Sequence, residues 1–146
     1  MLHLSPLISA ITGSRIFRVI DGDTFQLSSH KLGDIRIRIA EIDAPELQQP
    51  YGKKAKSYLK ALIESETVIC TILEKDRYGR YIAKINVPGT QNIDVAAEMV
   101  RAGYAWHYKK YSASQELANI EIKAKLQKKG LWSVPNAVAP WLYRQQ

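Results

Sequence analysis

The stretch from Ile35 to Glu46 constrains the fold more than any other, because it combines a strand pattern with a sharp end to that strand. Isoleucines alternate with Arg36 and Arg38, so a pleated strand would bury one face and carry two guanidiniums on the other. Pro45 cannot donate a hydrogen bond to a sheet, so the strand must end beside it. The pattern predicts a half-buried strand with cations along it and carboxylates at its exit, as in a phosphate site with a metal.

The size and charge of the chain narrow the class of protein. At 146 residues, the chain is long enough for one well-buried core and too short for two ordinary domains. A formal net charge of +7 favours polyanionic partners, either nucleic acid or an acidic membrane surface. The only cysteine, Cys70, excludes an internal disulfide and a cysteine-based zinc site. It lies in an apolar run, and we expect it to be a small core side chain.

The two ends of the chain differ in composition from its middle. The first residues are weakly apolar, are interrupted by Pro6 and lack the basic start of a secretion signal. We predict that residues 1–14 are a leader, either disordered or the remnant of a signal, and that residues 15–133 form the folded domain. Residues 134–146 are predicted to be an irregular C-terminal extension. No run has the length of a membrane-spanning helix.

Alternation of apolar and polar residues predicts five strands. Asp21-Gly22-Asp23 is a turn signal between the first two, and a polar connection leads into the third, which favours an antiparallel meander. The fourth is apolar enough to be buried on both faces. The predicted strands are Arg15–Ile20, Thr24–Leu27, the strand that starts at Ile35, Val68–Leu73 and Arg80–Val87.

Helical spacing of apolar residues predicts three helices. Expected capping residues mark their ends. In chain order, the helices are Tyr51–Glu64, a helix capped by Asn92 that includes Ile93 and ends at Gly103, and a helix capped by Ser112 or Ser114 that ends at Gly130.

These elements predict a mostly β fold with helices, in the α+β class. Five short strands with helices around them suit a five-stranded Greek-key barrel that carries three α-helices on its outside. The alternative is an open sheet with helices on one face. A parallel, doubly wound sheet is disfavoured because the first three strands lack the helical crossovers that it requires.

Acidic residues cluster at two turns. An Asp-Gly-Asp turn such as Asp21 to Asp23 is common in proteins of every class. Asp43 and Glu46, however, flank a proline at a strand end, and with the turn they could offer a hard divalent cation two or three oxygen ligands. Calcium or magnesium fits this set, and the lack of a Cys or His cluster argues against zinc.

Arginines and tyrosines complete the candidate chemistry. Arg38 and Arg80 lie beside turns, where a guanidinium could grip a phosphate bidentately. A metal, a carboxylate that activates water and guanidiniums are the parts that phosphoryl transfer needs. Tyr78, Tyr108 and Tyr111 lie among cations, as in a stacking surface for bases, although tyrosines of this kind also serve as packing residues.

Five short motifs carry these acids and arginines in a fixed order: Ile20-Asp-Gly-Asp-Thr24, Arg38 with Ile42-Asp-Ala-Pro-Glu46, Asp76-Arg-Tyr-Gly-Arg80, Val100-Arg-Ala-Gly103 and Gly130-Leu-Trp-Ser133. They resemble the staphylococcal (micrococcal) nuclease family, the thermonucleases, from about Ile16 to Trp132. The resemblance implies an oligonucleotide-binding (OB) fold barrel with three helices. It also implies a calcium-dependent phosphodiesterase that cleaves DNA and RNA and leaves 3'-phosphate ends.

The resemblance assigns a role to each acid by its position. Asp23 and Asp43 resemble the calcium carboxylates, and the backbone carbonyl of Ala44 resembles a third ligand. Ala44 stands where the staphylococcal enzyme has a threonine, but a carbonyl ligand survives that change. Glu46 resembles the general base that activates water, and Asp21 resembles a support for the calcium carboxylates.

The cationic and aromatic residues receive roles in the same way. Arg38 and Arg80 resemble the guanidiniums that bind the scissile phosphate and stabilise the transition state. Tyr78, with Arg77 and Tyr111, resembles the contacts to the terminal phosphate and ring of the nucleotide. No partner motif adjoins Arg36, so we interpret it as an ordinary surface charge.

Two functions are compatible with this resemblance. One is a metal-dependent nuclease, and the other is a non-catalytic nucleic-acid-binding or protein-interaction domain of the same fold. A degenerate domain would be expected to lose members of the acid and arginine set, and all are present here, which favours the enzyme. We expect a monomer, secreted or periplasmic, that acts on single-stranded or frayed DNA and RNA and does not bind a membrane.

Overall fold

Short strands and helices follow one another along the chain in the structure, a computed structural model that describes residues 10–11 and 15–146. The strands are β1 (Ala10–Ile11), β2 (Arg15–Asp21), β3 (Thr24–Ser29), β4 (Gly33–Ile39), β5 (Ile42–Asp43), β6 (Ile69–Lys75), β7 (Tyr81–Val87), β8 (Ile93–Asp94) and β9 (Trp106–His107). The helices are α1 (Gly52–Ile63), α2 (Val95–Arg101), α3 (Gln115–Leu126), a 3₁₀ helix (Gly130–Ser133) and α4 (Pro140–Tyr143). The protein is of the α+β class, as predicted.

Most strands belong to one sheet with the order β1-β6-β7-β4-β3-β2, and β8 pairs with β7. The pairing of β2, β3 and β4 is antiparallel, which confirms the predicted meander. Strands β4 and β7 are parallel, with Arg38 next to Ile82. The chain can reach this parallel arrangement because α1 and β6 lie between the two strands in sequence. Strands β5 and β9 form a separate antiparallel pair.

The core lies between the sheet and one face of each longer helix. Phe25, Ile37 and Ile39 are fully buried from the strands, and Leu59 is fully buried from α1. Burial of each such side chain stabilises the fold by about 1.5–3 kcal/mol. Cys70 is also buried, as predicted, and burial raises the pKa of its thiol to about 12. The core therefore holds the outer faces of β3 and β4 in place beside the candidate site.

The first turn of α2 differs from the prediction. Asp94, and not Asn92, caps this helix, because the Asp94 carboxylate accepts a hydrogen bond of 3.2 Å from the backbone N–H of Ala97. Ile93 was expected inside the helix, but it lies in β8 opposite Val87. Pairing with β7 keeps this part of the chain extended, so the helix begins later than its apolar spacing predicts.

The third helix begins as predicted and ends early. Ser114 is its cap, and its hydroxyl accepts a 3.1 Å hydrogen bond from the N–H of Leu117. The helix ends at Leu126 and does not reach Gly130. Lys128 has a φ of 52°, in the left-handed region, and Lys129 donates back to the helix, which is the usual geometry of a helix end.

Strand β6 is buried on one face only, so the prediction of two buried faces is wrong. Cys70 and Ile72 point into the core, whereas Leu73 is half exposed. The apolar run therefore extends past the part of the strand that the core covers.

The C-terminal extension is more regular than predicted. It contains the one-turn helix α4, and Pro140 occupies the first turn, where its missing N–H is not needed. Ala139 and Pro140 are buried, so the extension packs against the domain. Within the predicted leader, residues 1–9 and 12–14 lie outside the described residues, and the domain boundaries stay a prediction. No described helix is long and apolar enough to cross a membrane.

Candidate active site

The turn between β2 and β3 lies directly against Ala44, the residue after β5, and against helix α1. A Cβ atom on Gly22 would lie 2.8 Å from the Cβ of Ala44 and 2.7 Å from that of Ala55, so a glycine is needed for this approach. The approach lets the N–H of Ala44 donate a 2.8 Å hydrogen bond to Oδ2 of Asp23. Two acidic segments that are distant in sequence are joined in this way.

Asp23 is an ionised carboxylate in a buried position. Its side chain accepts hydrogen bonds from Ala44 and from the hydroxyl of Thr24, the latter at 2.9 Å. Burial alone would raise the pKa of Asp23, but the Arg38 charge and the hydrogen bonds outweigh that effect and hold its pKa below the usual value. Asp23 therefore presents negative charge at neutral pH.

The pKa of Asp21 is shifted in the opposite direction to that of Asp23. Its Oδ1 accepts a 3.0 Å hydrogen bond from the N–H of Asp23. Burial, together with the negative charge of Asp23, raises the pKa of Asp21 to about 7. Near neutral pH, Asp21 is therefore partly protonated while Asp23 is ionised, and Asp21 contacts Asp23 directly.

Arg38 lies between two buried carboxylates at the end of β4. Its Nη2 is 3.2 Å from Oδ1 of Asp43 and 3.5 Å from Oδ2 of Asp23. Its Nη1 donates to the backbone carbonyls of Ile39 and Ile42 at 2.6 and 2.9 Å. Four contacts on one guanidinium fix its position beside the acids.

Asp43 is the most deeply buried acid of the site, with 1% of its surface exposed. It lies in β5 opposite Trp106 of β9. Burial raises the pKa of Asp43, while Arg144 and Arg38 act to lower it. A carboxylate buried to this degree needs a cation beside it to stay ionised.

Glu46 is held by a tight loop before α1. Its N–H donates a 3.1 Å hydrogen bond to the side chain of Gln49, and its carbonyl accepts one of 2.9 Å from the N–H of Gln49. Gly52 lies so close that a Cβ there would be 1.9 Å from the Glu46 carbonyl oxygen. The Glu46 side chain is one-third exposed, which makes it more accessible than the carboxylate of Asp43.

Arg144, from the C-terminal extension, reaches this cluster and was not predicted. Its Nη2 is 2.7 Å from Oδ2 of Asp43, and its Nη1 donates to Oε1 of Glu46 at 2.8 Å. These contacts join residues 101 and 98 positions apart in the sequence. No motif or periodicity in the sequence indicates such a pairing. The two carboxylates raise the pKa of Arg144, mainly because Asp43 accepts hydrogen bonds from its guanidinium.

Arg80 is held by a different partner. Its Nε donates a 2.8 Å hydrogen bond to Oδ2 of Asp76, and its N–H donates to the other oxygen. Burial acts to raise the pKa of Asp76, but the hydrogen bonds and charge of Arg80 outweigh it and lower that pKa. Among the described residues, the ion pair of Arg80 is with Asp76 and not with Asp43 or Glu46. The sequence signal for Asp76 was its position in the turn motif that ends at Arg80.

The tyrosines divide into two groups. Tyr78 is 69% exposed, and Arg77 contacts both its hydroxyl, at 3.0 Å, and its ring. Tyr111 is 67% exposed and packs edge-on against Tyr108. One face of Tyr108 stacks on Trp141 of the extension, with ring centroids 5.1 Å apart. Tyr78 and Tyr111 therefore have open ring surfaces, whereas Tyr108 is partly covered.

The acid cluster has the chemistry of a site for a hard cation. Its donors are carboxylate and carbonyl oxygens, the ligands that Ca²⁺ and Mg²⁺ prefer, and it is already arranged around the positive charge of Arg38. Among residues 10–11 and 15–146, no group of three or more His, Cys, Asp or Glu side chains is placed to hold a metal ion. The predicted set needs only two carboxylates, Asp23 and Asp43, with the carbonyl of Ala44 and water. The residues present fit that smaller set.

The arrangement of these groups suits phosphoryl transfer. Arg38 can bind charge at phosphorus, Asp23 and Asp43 can hold a cation, and the one-third exposed carboxylate of Glu46 can accept a proton from water. The hydrogen bonds and ion pairs given above for this cluster are made by Asp, Glu, Arg, Thr and Gln side chains and by backbone atoms, and none of them involves a Cys or His. The groups in this cluster that could bind a cation are all oxygen atoms, and arginine side chains contact them.

Known proteins resemble this chain over most of its length. The sequence profile described as "Staphylococcal nuclease homologue" matches residues 36–134. A protein of Escherichia coli O157:H7 with the name "Uncharacterized endonuclease" is 38% identical over 141 residues, which cover 97% of this chain and 90% of that protein. A "Micrococcal nuclease" of Shigella flexneri is 38% identical over 138 residues, covering 89% of this chain and 79% of that protein. A "Probable staphylococcal-like nuclease CAN2" of Oryza sativa subsp. japonica is 37% identical over 110 residues, covering 75% of this chain and 29% of that protein.

Proposed function

The chain belongs to the staphylococcal nuclease family, and from that premise we propose that it is a calcium-dependent nuclease that hydrolyses phosphodiester bonds of DNA and RNA. Nuclease activity is supported by the family and by the names of its relatives. The observation that carries the proposal for this chain is the buried cluster in which Asp23 and Asp43 lie on either side of Arg38, with Glu46 at its exposed edge. Single-stranded or frayed nucleic acid is the proposed substrate.

The proposed metal site uses the two buried acids. Asp23 and Asp43, with the carbonyl of Ala44, would hold Ca²⁺, and the ion would supply positive charge beside a phosphate oxygen. Support for this assignment comes from the low pKa of Asp23, which keeps that carboxylate charged. Asp21 would hold Asp23 in place through their hydrogen bond.

The proposed base is Glu46. Its carboxylate takes a proton from water, the water oxygen forms a bond to phosphorus, and the bond from phosphorus to the 5'-oxygen breaks, with that oxygen protonated from solvent. This course leaves a 3'-phosphate end. The partial exposure of Glu46 supports the role, because the base must have access to water.

The proposed substrate contacts surround this point. Arg38 and Arg80 would donate to the phosphate as negative charge develops on it. Asp76 would orient Arg80 for that task. Tyr78 and Tyr111 would stack on the nucleotide with their exposed rings, with Arg77 beside Tyr78 and Tyr108 beside Tyr111.

Several wider features belong to the same proposal. The strands would close into a five-stranded OB-fold barrel, which is supported by the meander and by the parallel contact of β4 with β7. The protein would act as a monomer. A weak oxygen site suits millimolar calcium, which supports a secreted or periplasmic location.

Cleavage of a labelled single-stranded DNA tests the proposal. Wild type should cleave with calcium and stop when the ion is chelated, and Glu46→Gln should lower the rate by about 100-fold or more. Glu66→Gln, an exposed acid beyond α1, serves as the control and should cleave at the wild-type rate. Activity that persists both with chelator and in Glu46→Gln would contradict the mechanism. Oligonucleotide binding without any cleavage would instead favour a non-catalytic binding domain.

A further inference from the structure

The C-terminal extension places a positive charge on the acids that the proposed function uses. Both oxygens of Asp43 contact the Arg144 guanidinium, at 2.7 and 3.2 Å, and one of the two nitrogens involved also donates to Glu46 at 2.8 Å. The contact to Asp43 is bidentate, which is the strongest geometry for an arginine and a carboxylate. Arg144 therefore bridges the proposed metal ligand and the proposed base.

The extension is anchored just before this arginine. Trp141 stacks on Tyr108 and packs edge-on against Trp106 at 5.4 Å. The Gln49 side chain donates a 2.5 Å hydrogen bond to the carbonyl of Val138. These contacts hold the extension within α4 and just before it, a few residues ahead of Arg144.

Gln49 links the anchor to the site. Its side-chain oxygen accepts the hydrogen bond from the N–H of Glu46, and its side-chain nitrogen donates to Val138. The extension and the loop that carries Glu46 are therefore joined through one amide. Docking of the extension and the position of the proposed base depend on the same side chain.

Arg144 contacts the same carboxylate oxygens that the proposed function assigns to the cation, on Asp43, and to water, on Glu46. A carboxylate whose two oxygens both accept hydrogen bonds from a guanidinium has less negative charge and fewer open lone pairs for a divalent cation. Arg38 already contacts Oδ1 of Asp43, so Arg144 is a second cation on one carboxylate. The Arg144 side chain is 40% exposed, so it can leave while Trp141 stays packed.

We propose that Arg144 is an autoinhibitory residue that competes with the divalent cation for Asp43 and with water for Glu46. This inference rests on the proposed function, since it takes Asp43 as a metal ligand and Glu46 as the base. Binding of the cation displaces the Arg144 guanidinium from Asp43. The same displacement frees the Glu46 oxygen. Inhibition by Arg144 is therefore strongest when calcium is scarce.

Calcium affinity measured by titration calorimetry tests the competition without any activity assay. Arg144→Gln should bind calcium about tenfold more tightly than wild type, a size typical of coupling between two competing contacts. Arg144→Lys keeps the charge but loses the bidentate geometry, and its affinity should lie between the two. Arg101→Gln removes the same charge from α2, where Arg101 pairs with Glu98, and should bind calcium as wild type does.

Cleavage rates give a second readout. Arg144→Gln should be faster than wild type at calcium concentrations below saturation and equal to it at saturation. Equal calcium affinities of wild type and Arg144→Gln would overturn the inference and leave the proposed function intact. Weaker binding by Arg144→Gln would also overturn it, because Arg144 would then support the acids. Absence of calcium binding by both proteins would overturn the inference together with the calcium requirement of the proposed function.

Discussion

At the scale of single residues, two neighbouring acids of the site have opposite pKa shifts. Asp21 and Asp23 are two positions apart and joined by a hydrogen bond, yet the pKa of one is raised to about 7 and that of the other is lowered. The difference arises because Arg38 and two further hydrogen bonds act on Asp23, whereas burial dominates at Asp21. Charge is therefore concentrated on the carboxylate that is proposed to bind calcium.

Arg38 and Arg80 are expected to differ in their effect on stability. Arg38→Ala removes a cation that is 12% exposed from between two buried acids and should lower the free energy of unfolding by about 3 kcal/mol. Arg80→Ala removes a partner of the less buried Asp76 and should cost about 1 kcal/mol. Urea unfolding in the presence of chelator measures both.

Both substitutions should reduce the rate of DNA cleavage by about 100-fold or more, since each removes a proposed transition-state donor. Arg36→Ala is the control, because Arg36 is exposed and lies on the same strand as Arg38. Equal stability losses for Arg38→Ala and Arg80→Ala would contradict the structural role given to Arg38. Wild-type kinetics in either variant would remove that arginine from the site.

At the scale of elements, the start of α1 determines where Glu46 lies. Gly52 begins this helix and packs against the backbone of Glu46 and Leu47, where a Cβ would meet the Glu46 carbonyl oxygen at 1.9 Å and the Leu47 Cα at 2.9 Å. Both neighbours are backbone atoms, so neither can turn aside as a flexible side chain would. Helix α1 and the loop that holds Glu46 thus form one unit.

Gly52→Ala should therefore reduce cleavage by about tenfold or more, although Gly52 has no contact with substrate in the proposed mechanism. It should also lower the free energy of unfolding by about 1–3 kcal/mol, as overpacking usually does. Thermal unfolding and cleavage rates measure the two effects. Gly89→Ala is the matched control, since a Cβ there has its nearest contact at 3.9 Å. Wild-type activity of Gly52→Ala would show that the helix start does not position Glu46.

The turn between β6 and β7 should make stability depend on pH through Asp76. The pKa of Asp76 is lower in the folded protein than its ordinary value of 3.8, so its ion pair with Arg80 stabilises the fold above that pH and is lost as the pH falls through the folded pKa. Asp76→Asn should destabilise the protein at pH 7, and its difference from wild type should shrink below pH 3.8. Urea unfolding at several pH values measures this, with Asp34→Asn as control. A difference that is the same at all pH values would contradict the ion-pair role.

At the scale of the whole molecule, the net charge of +7 should control substrate binding. Contacts from Arg38, Arg77 and Arg80 to phosphates would release counterions from a single strand, so the logarithm of the binding constant should fall with the logarithm of salt concentration with a slope of roughly −2. Fluorescence anisotropy with Glu46→Gln measures binding without cleavage. A slope near zero would argue against a polyanionic substrate.

The sequence by itself determined most of the longer elements and all of the acids of the site. Alternating isoleucines predict β4, a serine cap at Ser112 or Ser114 predicts the start of α3, and the acids around Pro45 predict an oxygen-rich cluster at a strand exit. Local chemistry decides such features, because side-chain periodicity and capping act over a few residues. The family resemblance added proposed roles to these positions, and similarity to known nucleases over most of the chain shows the family.

Only the tertiary structure decided which partners those residues meet. Pairing of β8 with β7 moved the start of α2 to the Asp94 cap, and packing of Trp141 against Tyr108 brought Arg144 to Asp43, 101 positions earlier in the chain. Contacts over such separations depend on how whole elements pack, and no local pattern encodes them. The strand exit that most constrained the fold shows only its acids and Arg38 in the sequence. In the folded protein a second arginine, Arg144 of the C-terminal extension, contacts the same acids.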